Sequence, residues 1–384
     1  MIAETMHGAA GRGHGYAEAT LAIDLDALKA NFATMAARAH PAECAAAVKC
    51  DGYGLGVEPV ARALSGAGCR TFFVALLDEG MVLREILPEA TIYVLNGLAP
   101  NTAPVHAAHR LRPVLGSLEE IAEWSAHCTA TGRRLEAAIH VDTGINRLGL
   151  SEADVARLAS EPRLAEAFDV TLIISHLACS DQPDHPMNAR QAERFDALLA
   201  RLPPAPASLA NSGGVLNGRR YTYDLVRPGI ALYGADPRGR GDGSLKPVVR
   251  LTGRILQVRT LAAGDCVGYG ATWRATRPTR IALVSVGYGD GYLRALGTTT
   301  GERRTMAAIG GHRVPVTGRI SMDTLAVDVT DLDSGLAVRG GEVELIGDTV
   351  ALDEVAAWAG TIPYEVLTNL GSRYARIYKG LDPD

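Results

Sequence analysis

Between Ala45 and Leu232, short apolar runs alternate with amphipathic segments along the chain. Each run covers four to eight residues and ends at glycine, proline or polar residues, which is typical of a buried strand. The segments between the runs repeat apolar residues at helical spacing. The predicted strands are Ala45–Val48, Phe72–Leu76, Ile92–Leu95, Leu111–Leu115, Ala137–Val141, Thr171–Ser175, Ala207–Ala210 and Leu225–Leu232. The predicted helices are Glu58–Ser65, Glu79–Ile86, Leu118–Thr131, Glu152–Ala159 and Asn188–Leu202.

Eight strands separated by helices predict an α/β fold, a (β/α)8 TIM-like barrel. A short strand at Thr20–Ile23 and a helix that begins at Leu25 precede it. Pro100 and Pro104 obscure the helical pattern between the third and fourth strands. An open doubly wound sheet would alternate in the same way, but no G-x-G-x-x-G motif follows the first strand. The pattern therefore favours the barrel.

Beyond Arg238 the pattern changes from alternating strands and helices to alternating β-branched residues. The segment from Arg238 to Gly243 is polar and glycine-rich, as expected of a linker. We therefore predict a disordered tail at 1–17, a barrel domain at 18–240 and a mostly-β domain at 241–384. Predicted strands in the last domain are Val248–Val258, Ile281–Val286, Val314–Thr317 and Thr324–Val329, with helices at Leu352–Ala359 and Tyr364–Leu370.

The composition is that of an ordinary globular protein. Of its 384 residues, 21% are charged and 47% hydrophobic, and the formal net charge is −5. No basic run indicates a nucleic-acid or membrane partner, and no apolar run indicates a membrane span or a signal peptide. The six cysteines are scattered and form no C-x-x-C pair. We therefore expect reduced thiols, no metal site and a cytoplasmic location.

Lys49 directly follows the first apolar run, in the segment AAAVKCDGYGLG. A lysine at the end of a buried strand can be desolvated, which lowers the pKa of its amine and frees the nitrogen to condense with a carbonyl. Pyridoxal 5'-phosphate (PLP) is the cofactor whose carbonyl such a lysine binds as a Schiff base. The alternative is a lysine whose stem lies along the strand while its ammonium group reaches water.

Polar residues also follow later strands, at the end of the barrel where such enzymes place their chemistry. Several side chains that converge on one site favour a function over surface polarity alone. Barrels often bind phosphate after strands seven and eight, where Ser212 and the N–H groups of Gly229 and Ile230 are expected. Gly229 could instead serve only a bend. The candidates after the strands are Lys49, Asp142, Arg147, His176, Asn211, Ser212 and Arg227.

Eight motifs occur in order along the chain: AVKCDGYGLG, HVDTGINRLG, ANSGG, RPGIALYG, VGYGATW, GYGDGYLR, GRISMD and IPYEVLTNLG. Together they closely resemble bacterial alanine racemases over roughly residues 18 to 380. The resemblance implies a PLP-binding barrel, a β-domain and a head-to-tail homodimer with shared active sites. It implies an isomerase that interconverts L-alanine and D-alanine, to supply D-alanine for cell-wall peptidoglycan or to catabolise it.

The resemblance assigns two proton carriers. Lys49 matches the lysine that holds PLP and serves the D-enantiomer. Tyr269 matches the base for the L-enantiomer, which reaches the active site of the other subunit. Racemisation needs one such group on each face of a planar carbanion. His176 matches the histidine that assists the tyrosine, and Arg227 matches the arginine behind it, which also faces the PLP ring nitrogen. Because arginine stays protonated, it leaves that nitrogen largely unprotonated and disfavours transamination.

The resemblance implies four further groups of site residues. The substrate carboxylate is matched by Arg147 and the backbone of Met322. The tyrosines Tyr269 and Tyr364 match a narrow inner gate, which favours a methyl side chain; the alternative for each is a packed amphipathic ring. Phosphate binding is matched by Tyr53, Ser212, Gly229, Ile230 and Tyr364. The substrate-access corridor is matched by Asp181, Tyr288, Arg294, Arg319, Asp323 and Ile362.

His140 is a departure from the family pattern. Many members have a carbamylated lysine two residues before the aspartate of the D-T-G loop, where this chain has His140. Histidine cannot form the same stable carbamate. In the family the carbamate orients the arginine that matches Arg147, so here Arg147 must be held differently or through a water or an anion.

Three alternative functions remain open on sequence alone. A PLP decarboxylase of the same architecture would face the ring nitrogen with a carboxylate, whereas this chain has Arg227 in RPG. A non-catalytic PLP carrier would need neither the second domain nor Tyr269. A serine or broad-specificity racemase would need a wider pocket than Tyr364 predicts.

Overall fold

The computed structural model describes residues 18–239, 241, 243–302 and 305–381. The tail predicted at 1–17 and two residues of the predicted linker lie outside this range. The chain forms two compact units that are discontinuous in sequence. The barrel unit comprises Asp24–Val249, Thr361–Thr368 and the residues from Tyr378 onward, and the β-rich unit comprises the residues up to Ile23, Arg250–Gly360 and Asn369–Ile377.

Parallel strands in chain order form the wall of the barrel unit. Its short strands are almost wholly buried, as expected when helices cover one face and the barrel interior the other. The wall closes because Leu225–Val226 pairs in parallel with Glu43–Cys44, while the Arg227 N–H donates to the Ala210 carbonyl at 2.9 Å. The seven strands of the continuous sheet are Ala46–Ala47, Thr71–Val74, Thr91–Val94, Arg112–Leu115, Glu136–His140, Asp169–Ile174 and Ala207–Ser208. The predicted α/β barrel is confirmed.

The helices of the barrel unit begin and end at residues with clear local chemistry. Ser117 caps Leu118–Thr131 by accepting from the Glu120 N–H, and Gly132 ends that helix at a φ of 65°.

Within the described part of the chain, no helix has both the length and the hydropathy to cross a membrane. The helices of the barrel unit are Leu25–Ala39, Lys49–Tyr53, Val57–Gly66, Leu77–Ile86, Ala103–Ala108, Leu118–Thr131, Glu152–Ser160, Pro186–Leu199, Ser212–Leu216 and most of Pro363–Asn369.

Most predicted strands of the barrel end earlier than expected, and two of them adjoin candidate site residues. The first stops at Ala47, and Lys49 already belongs to a short helical turn rather than to the strand. The eighth was predicted to reach Leu232, but only Leu225–Val226 is a strand. Pro228 lacks a backbone N–H, and the residues after it form tight turns, such as the one closed by the Leu232 N–H and the Gly229 carbonyl.

The β-rich unit is built on one large sheet, six strands of which close into a ring. The ring follows the order Thr279–Val284, Leu325–Asp328, His312–Thr317, Met306–Ile309, Glu342–Ile346 and Val249–Leu261, and the last pairs again with the first. Ala19–Asp24 and then Ala375–Lys379 extend the sheet beside Val249–Leu261. A small pair, Cys266–Val267 and Trp273–Arg274, and one helix, Leu352–Ala359, complete the unit.

One long strand makes the ring possible. Val249–Leu261 pairs with Glu342–Ile346 through its first part and with Thr279–Val284 through its last part. Its register shifts after Leu251 and after Ile255, and such bulges bend and twist a strand. Gly253 lies between them, where a Cβ would approach the Val284 side chain to 2.7 Å. The bent strand therefore joins both edges of the same sheet.

Candidate functional site

The predicted site residues fall into one group in each unit. The barrel unit carries Lys49, Tyr53, Arg147, His176, Asp181, Ser212, Arg227, Gly229, Ile230, Ile362 and Tyr364, and the β-rich unit carries Tyr269, Tyr288, Arg294, Arg319, Met322 and Asp323. In the barrel unit most of them follow the carboxyl ends of the strands, where barrel enzymes bind ligands.

Lys49 begins a turn of unusual backbone conformation. The four residues after it have positive φ: 54° at Cys50, 53° at Asp51, 62° at Gly52 and 58° at Tyr53. This left-handed turn is closed by the Gly52 N–H, which donates to the Val48 carbonyl at 2.9 Å. Left-handed conformations cost non-glycine residues roughly 1–2 kcal/mol each, so contacts elsewhere must stabilise the turn. The turn directs the chain away from the strand immediately after Lys49.

Tyr53, at the end of this turn, is buried among aromatic rings. Its ring stacks on Tyr233 with centroids 4.4 Å apart and lies 6.1 Å from the ring of Tyr364. Burial raises the pKa of Tyr53 well above that of free tyrosine, and Tyr364 and Cys50 add to this. The phenol therefore stays protonated and remains a hydrogen-bond donor at neutral pH.

Ser212, Gly229 and Tyr53 form a tight cradle after strands seven and eight. The Ser212 hydroxyl oxygen accepts from the N–H groups of Gly229 at 2.9 Å and Ala231 at 3.2 Å. A Cβ on Gly229 would lie 2.1 Å from the Tyr53 hydroxyl oxygen, so only glycine fits there. Ile230 is fully buried in the same turn. Backbone N–H groups, a serine and a protonated phenol are groups that bind a phosphate.

Replacing Gly229 with alanine should displace Tyr53. The phenol cannot yield easily, because its ring is buried and stacked, so we expect a loss of about 1–3 kcal/mol in unfolding free energy. PLP affinity should fall in parallel. Thermal unfolding and PLP titration measure both effects. Gly66→Ala is the control, since a Cβ added at Gly66 would meet no atom within 4 Å; equal behaviour of the two variants would contradict the cradle.

Arg227 is a buried cation with partners from two neighbouring strands. Its guanidinium donates to the Ser208 hydroxyl and, at 2.5 Å, to the Ser175 carbonyl. It also lies 5.8 Å from the ring centroid of Phe73. Burial lowers the pKa of Arg227 to about 10, so it still carries its charge at neutral pH. No carboxylate neutralises it in these contacts, which suits a site for an anionic or electron-rich ligand.

Two histidines lie next to this cation. The pKa of His176 is well below its usual value because of burial and of the charges on Arg227, Arg147 and Lys49. Its Nε2 lies 3.3 Å from the Asn211 amide nitrogen. Several positive charges therefore act on one neutral imidazole, and a region of positive potential attracts anionic ligands.

His140 is buried, and its Nε2 has no hydrogen-bond partner among the described residues. Burial, Arg227 and Arg147 lower its pKa from 6.5 to about 4, against a smaller opposing effect of Asp142. His140 is therefore neutral at physiological pH. It supplies no negative charge to Arg147, whose exposed side chain follows the turn held by the Asp142 carboxylate and the Gly144 N–H.

The depressed pKa of His140 should make folding acid-sensitive. Below pH 6.5 the unfolded chain takes up a proton that the folded chain takes up only near pH 4, so stability present above pH 6.5 is lost as the pH falls. By pH 4 the loss is about 3 kcal/mol. His140→Gln should flatten this dependence in urea unfolding at several pH values, whereas a variant of the exposed His312 should not. Identical pH dependence in all three proteins would contradict this.

Gln191 is a contact that sequence analysis did not identify. This fully buried side chain lies on Pro186–Leu199 and donates to the His176 carbonyl at 2.8 Å and to the Thr143 hydroxyl at 3.1 Å. Its own carbonyl oxygen accepts from the Ala178 N–H at 2.8 Å. Gln191 thus joins the loops after strands five and six. A polar residue on the buried face of a predicted helix was the available signal.

Tyr364, Asp181 and Ile362 form the outer part of the barrel-unit group. Tyr364 is half-buried, and burial, with a contribution from Asp181, raises its pKa to about 12. Ile362 is exposed over 57% of its surface and Asp181 is also exposed. This part of the barrel unit therefore offers a protonated phenol, an exposed carboxylate and an exposed apolar side chain.

In the β-rich unit, backbone hydrogen bonds join two segments that carry candidate residues. The Tyr288 N–H donates to the Ser321 carbonyl at 3.0 Å, and the Gly289 N–H donates to the Met322 carbonyl at 2.8 Å. Asp323 pairs with Arg373 at 2.8 Å. Arg294 is exposed on a short 3-10 turn. The side chains of Tyr288 and Met322 are 40% and 53% exposed.

Tyr269 begins a short 3-10 turn that lies beside Arg319. Its side chain is 70% exposed, and the guanidinium of Arg319 lies 2.8 Å from the position of a Cβ on the adjacent Gly270. An exposed tyrosine on a glycine turn is available to a ligand or to another protein chain. The described residues of the β-rich unit leave most of this ring uncovered.

Comparison with known proteins agrees with the geometry. Residues 23–237 match the alanine racemase N-terminal domain, and residues 248–378 match the alanine racemase C-terminal domain. The alanine racemase of Methylobacterium nodulans is 51% identical to the chain, and the match covers 94% of this chain and 96% of that protein. The alanine racemase of Brucella abortus is 47% identical, and the match covers 93% of each. The crystal structure of alanine racemase from Bartonella henselae with covalently bound pyridoxal phosphate is 41% identical, with a TM-score of 0.90 over 94% of this chain and 100% of that one. The chain therefore belongs to the alanine racemase family.

Proposed function

We propose that the chain interconverts L-alanine and D-alanine with PLP, using Lys49 on one face of the substrate and Tyr269 of the partner subunit on the other. The observation that carries the proposal is the cradle of Ser212, Gly229 and Tyr53 in the same barrel unit as Lys49 and the buried cation of Arg227. Family membership assigns the same reaction and the same cofactor.

The residues of the barrel unit fit PLP. The cradle of Ser212, Gly229 and Tyr53 offers donors for its phosphate, together with the buried Ile230 and the nearby phenol of Tyr364. Lys49 would hold its carbonyl carbon. When bound, PLP supplies the electron sink that acidifies the substrate Cα–H. Arg227 would face the ring nitrogen, and as a charged arginine it cannot accept a proton there.

The proton transfers fall to groups of this chain. Lys49 would take or return the Cα proton on the D-side, and the phenol of Tyr269 would do so on the L-side. Free tyrosine is a phenol with a pKa near 10, so a tyrosine needs assistance to act as a base. A neutral His176 next to Arg227 would provide it, since the neighbouring cation favours a phenolate over a phenol.

Further candidate residues would bind the substrate and select its side chain. Arg147 and the backbone of Met322 would bind the substrate carboxylate. Tyr269 and Tyr364 would narrow the inner opening to a methyl side chain. The outer corridor would be lined by Asp181, Tyr288, Arg294, Arg319, Asp323 and Ile362.

We further propose a head-to-tail homodimer in the cytoplasm. The exposed rings of Tyr269 and Tyr288 and the exposed Met322 support this, because large apolar groups in one unit favour burial against another chain. In such a dimer each active site contains Lys49 of one subunit and Tyr269 of the partner subunit, and D-alanine is supplied or consumed there.

Incubation with each alanine enantiomer and PLP, followed by chiral chromatography, tests the reaction. Starting from either pure enantiomer, the enzyme should produce the same equilibrium ratio of L-alanine to D-alanine. Unchanged enantiomers would refute the proposal. Release of carbon dioxide from L-lysine, L-ornithine or diaminopimelate would instead identify a decarboxylase, and rapid racemisation of serine would identify a broader specificity.

A further inference from the structure

Glu79 binds two different loops of the barrel through one carboxylate. Its Oε2 accepts from the N–H groups of Ala75 at 2.8 Å and Leu76 at 3.1 Å, in the loop after strand two. Its Oε1 accepts from the N–H of Cys50 at 2.6 Å, in the loop after strand one. Cys50 is the residue that follows Lys49. The carboxylate therefore fixes the peptide plane that joins Lys49 to the left-handed turn.

The left-handed turn needs such a contact. Cys50 and Asp51 both have φ values above 50°, a conformation that non-glycine residues avoid. A hydrogen bond from a backbone N–H to a carboxylate is stronger than one between neutral groups, so it offsets part of this strain. Without it the peptide between Lys49 and Cys50 can rotate, and the Lys49 amine moves with it.

Glu120 makes the equivalent contacts between the loops after strands three and four. Its carboxylate accepts from Gly116 and Ser117 in its own loop and from the Leu98 N–H, at 3.1 Å, in the preceding loop. Leu98 neighbours no candidate site residue. The two glutamates therefore share a structural role, while only Glu79 adjoins the lysine.

We propose that Glu79 is a positioning residue that sets the reach of the Lys49 amine through the Cys50 N–H. The inference rests on the proposed role of Lys49. It predicts that losing the Cys50 bond affects cofactor attachment and the D-side proton transfer more than it affects folding.

Replacing Glu79 with aspartate separates its two contacts, the local cap on the Ala75 and Leu76 N–H groups and the bond from the Cys50 N–H. Asp154 occupies the equivalent place in the helix Glu152–Ser160 and still accepts from the Ser151 N–H at 3.0 Å, so the shorter side chain suffices for a local cap. Glu79→Asp should keep that cap but fall short of Cys50. Glu120→Asp is the matched control, since it shortens the same contact beside Leu98.

The holoenzymes are compared by thermal unfolding, by absorbance and borohydride reduction of the lysine-bound cofactor, and by hydrogen exchange at Cα. Glu79→Asp should bind PLP about tenfold more weakly, as for the loss of one hydrogen bond to a charged group. Exchange from D-alanine should fall more than exchange from L-alanine. Glu120→Asp should keep wild-type values for both. Glu79→Gln, which retains one acceptor oxygen, provides a second variant if the first is unstable.

Equal behaviour of Glu79→Asp and Glu120→Asp in cofactor absorbance and exchange would overturn the inference. A similar drop for both alanine enantiomers would do the same, because it would indicate general damage. If the wild-type protein failed to racemise alanine, the proposed function would fail; a selective effect of Glu79→Asp on borohydride reduction would still support the positioning role.

Discussion

Replacing Lys49 with alanine is expected to abolish racemisation, with a fall on the order of 10⁴-fold or more in turnover. On the proposed assignment, the variant loses at once the amine that binds the cofactor covalently and the base on the D-side. PLP should then bind only through the phosphate cradle and Arg227, so borohydride should no longer fix it to the chain. Chiral chromatography and peptide mapping after reduction measure the two losses.

Lys379→Ala is the control for this experiment. Lys379 is exposed and pairs with Asp24 at 2.9 Å, a surface contact of small energetic weight. Its variant should keep full activity, and reduction of the wild-type holoenzyme should label Lys49 and not Lys379. Covalent PLP in the Lys49 variant would mean that another amine holds the cofactor.

Replacing Tyr269 with phenylalanine should lower turnover by about 10²–10⁴-fold in both directions, the usual contribution of a positioned acid or base. The colour of the lysine-bound cofactor should persist, since Lys49 is unchanged. Hydrogen exchange at Cα of D-alanine should also persist, because in the proposed mechanism Lys49 serves that face without Tyr269. Exchange from L-alanine should be lost, and nuclear magnetic resonance in deuterated water distinguishes the two.

Two controls bear on the tyrosine. Tyr292 is buried in the same unit, and its hydroxyl has no hydrogen-bond partner in the described part of the chain, so Tyr292→Phe should leave turnover unchanged. Mixing the Lys49→Ala and Tyr269→Phe proteins should restore about a quarter of wild-type activity, because random subunit exchange gives half mixed dimers with one complete site each. No recovery after verified exchange would argue against shared sites.

The sequence predicted those elements whose causes are local. Leu118–Thr131 has the predicted bounds because a serine cap, a glutamate three residues later and a terminal glycine are all visible in the chain. Leu352–Ala359 was also predicted with the correct bounds. The barrel followed from the regular alternation of apolar runs and helices, although most strands are shorter than predicted.

Other features depend on residues distant in sequence. The left-handed conformation after Lys49 is held by Glu79, which lies 29 residues beyond Cys50, and no local pattern reveals it. Glu342–Ile346 and Ala375–Lys379 were not predicted, because the stability of a short strand depends on the neighbouring strands with which it pairs. Family resemblance supplied the candidate site residues, which remain predictions, whereas Gln191 and Glu79 emerged only from the three-dimensional contacts.

The position of Ala19–Asp24 has a consequence for how the polypeptide reaches its native state. This strand, near the start of the chain, lies between Val249–Leu261 and Ala375–Lys379, near its end. Pairs so distant in sequence raise contact order and form late, because the entropy of closing a long loop must be offset first. During synthesis Ala19–Asp24 therefore cannot pair before Val249–Leu261 has been made, and its other edge stays unpaired until Ala375–Lys379 follows.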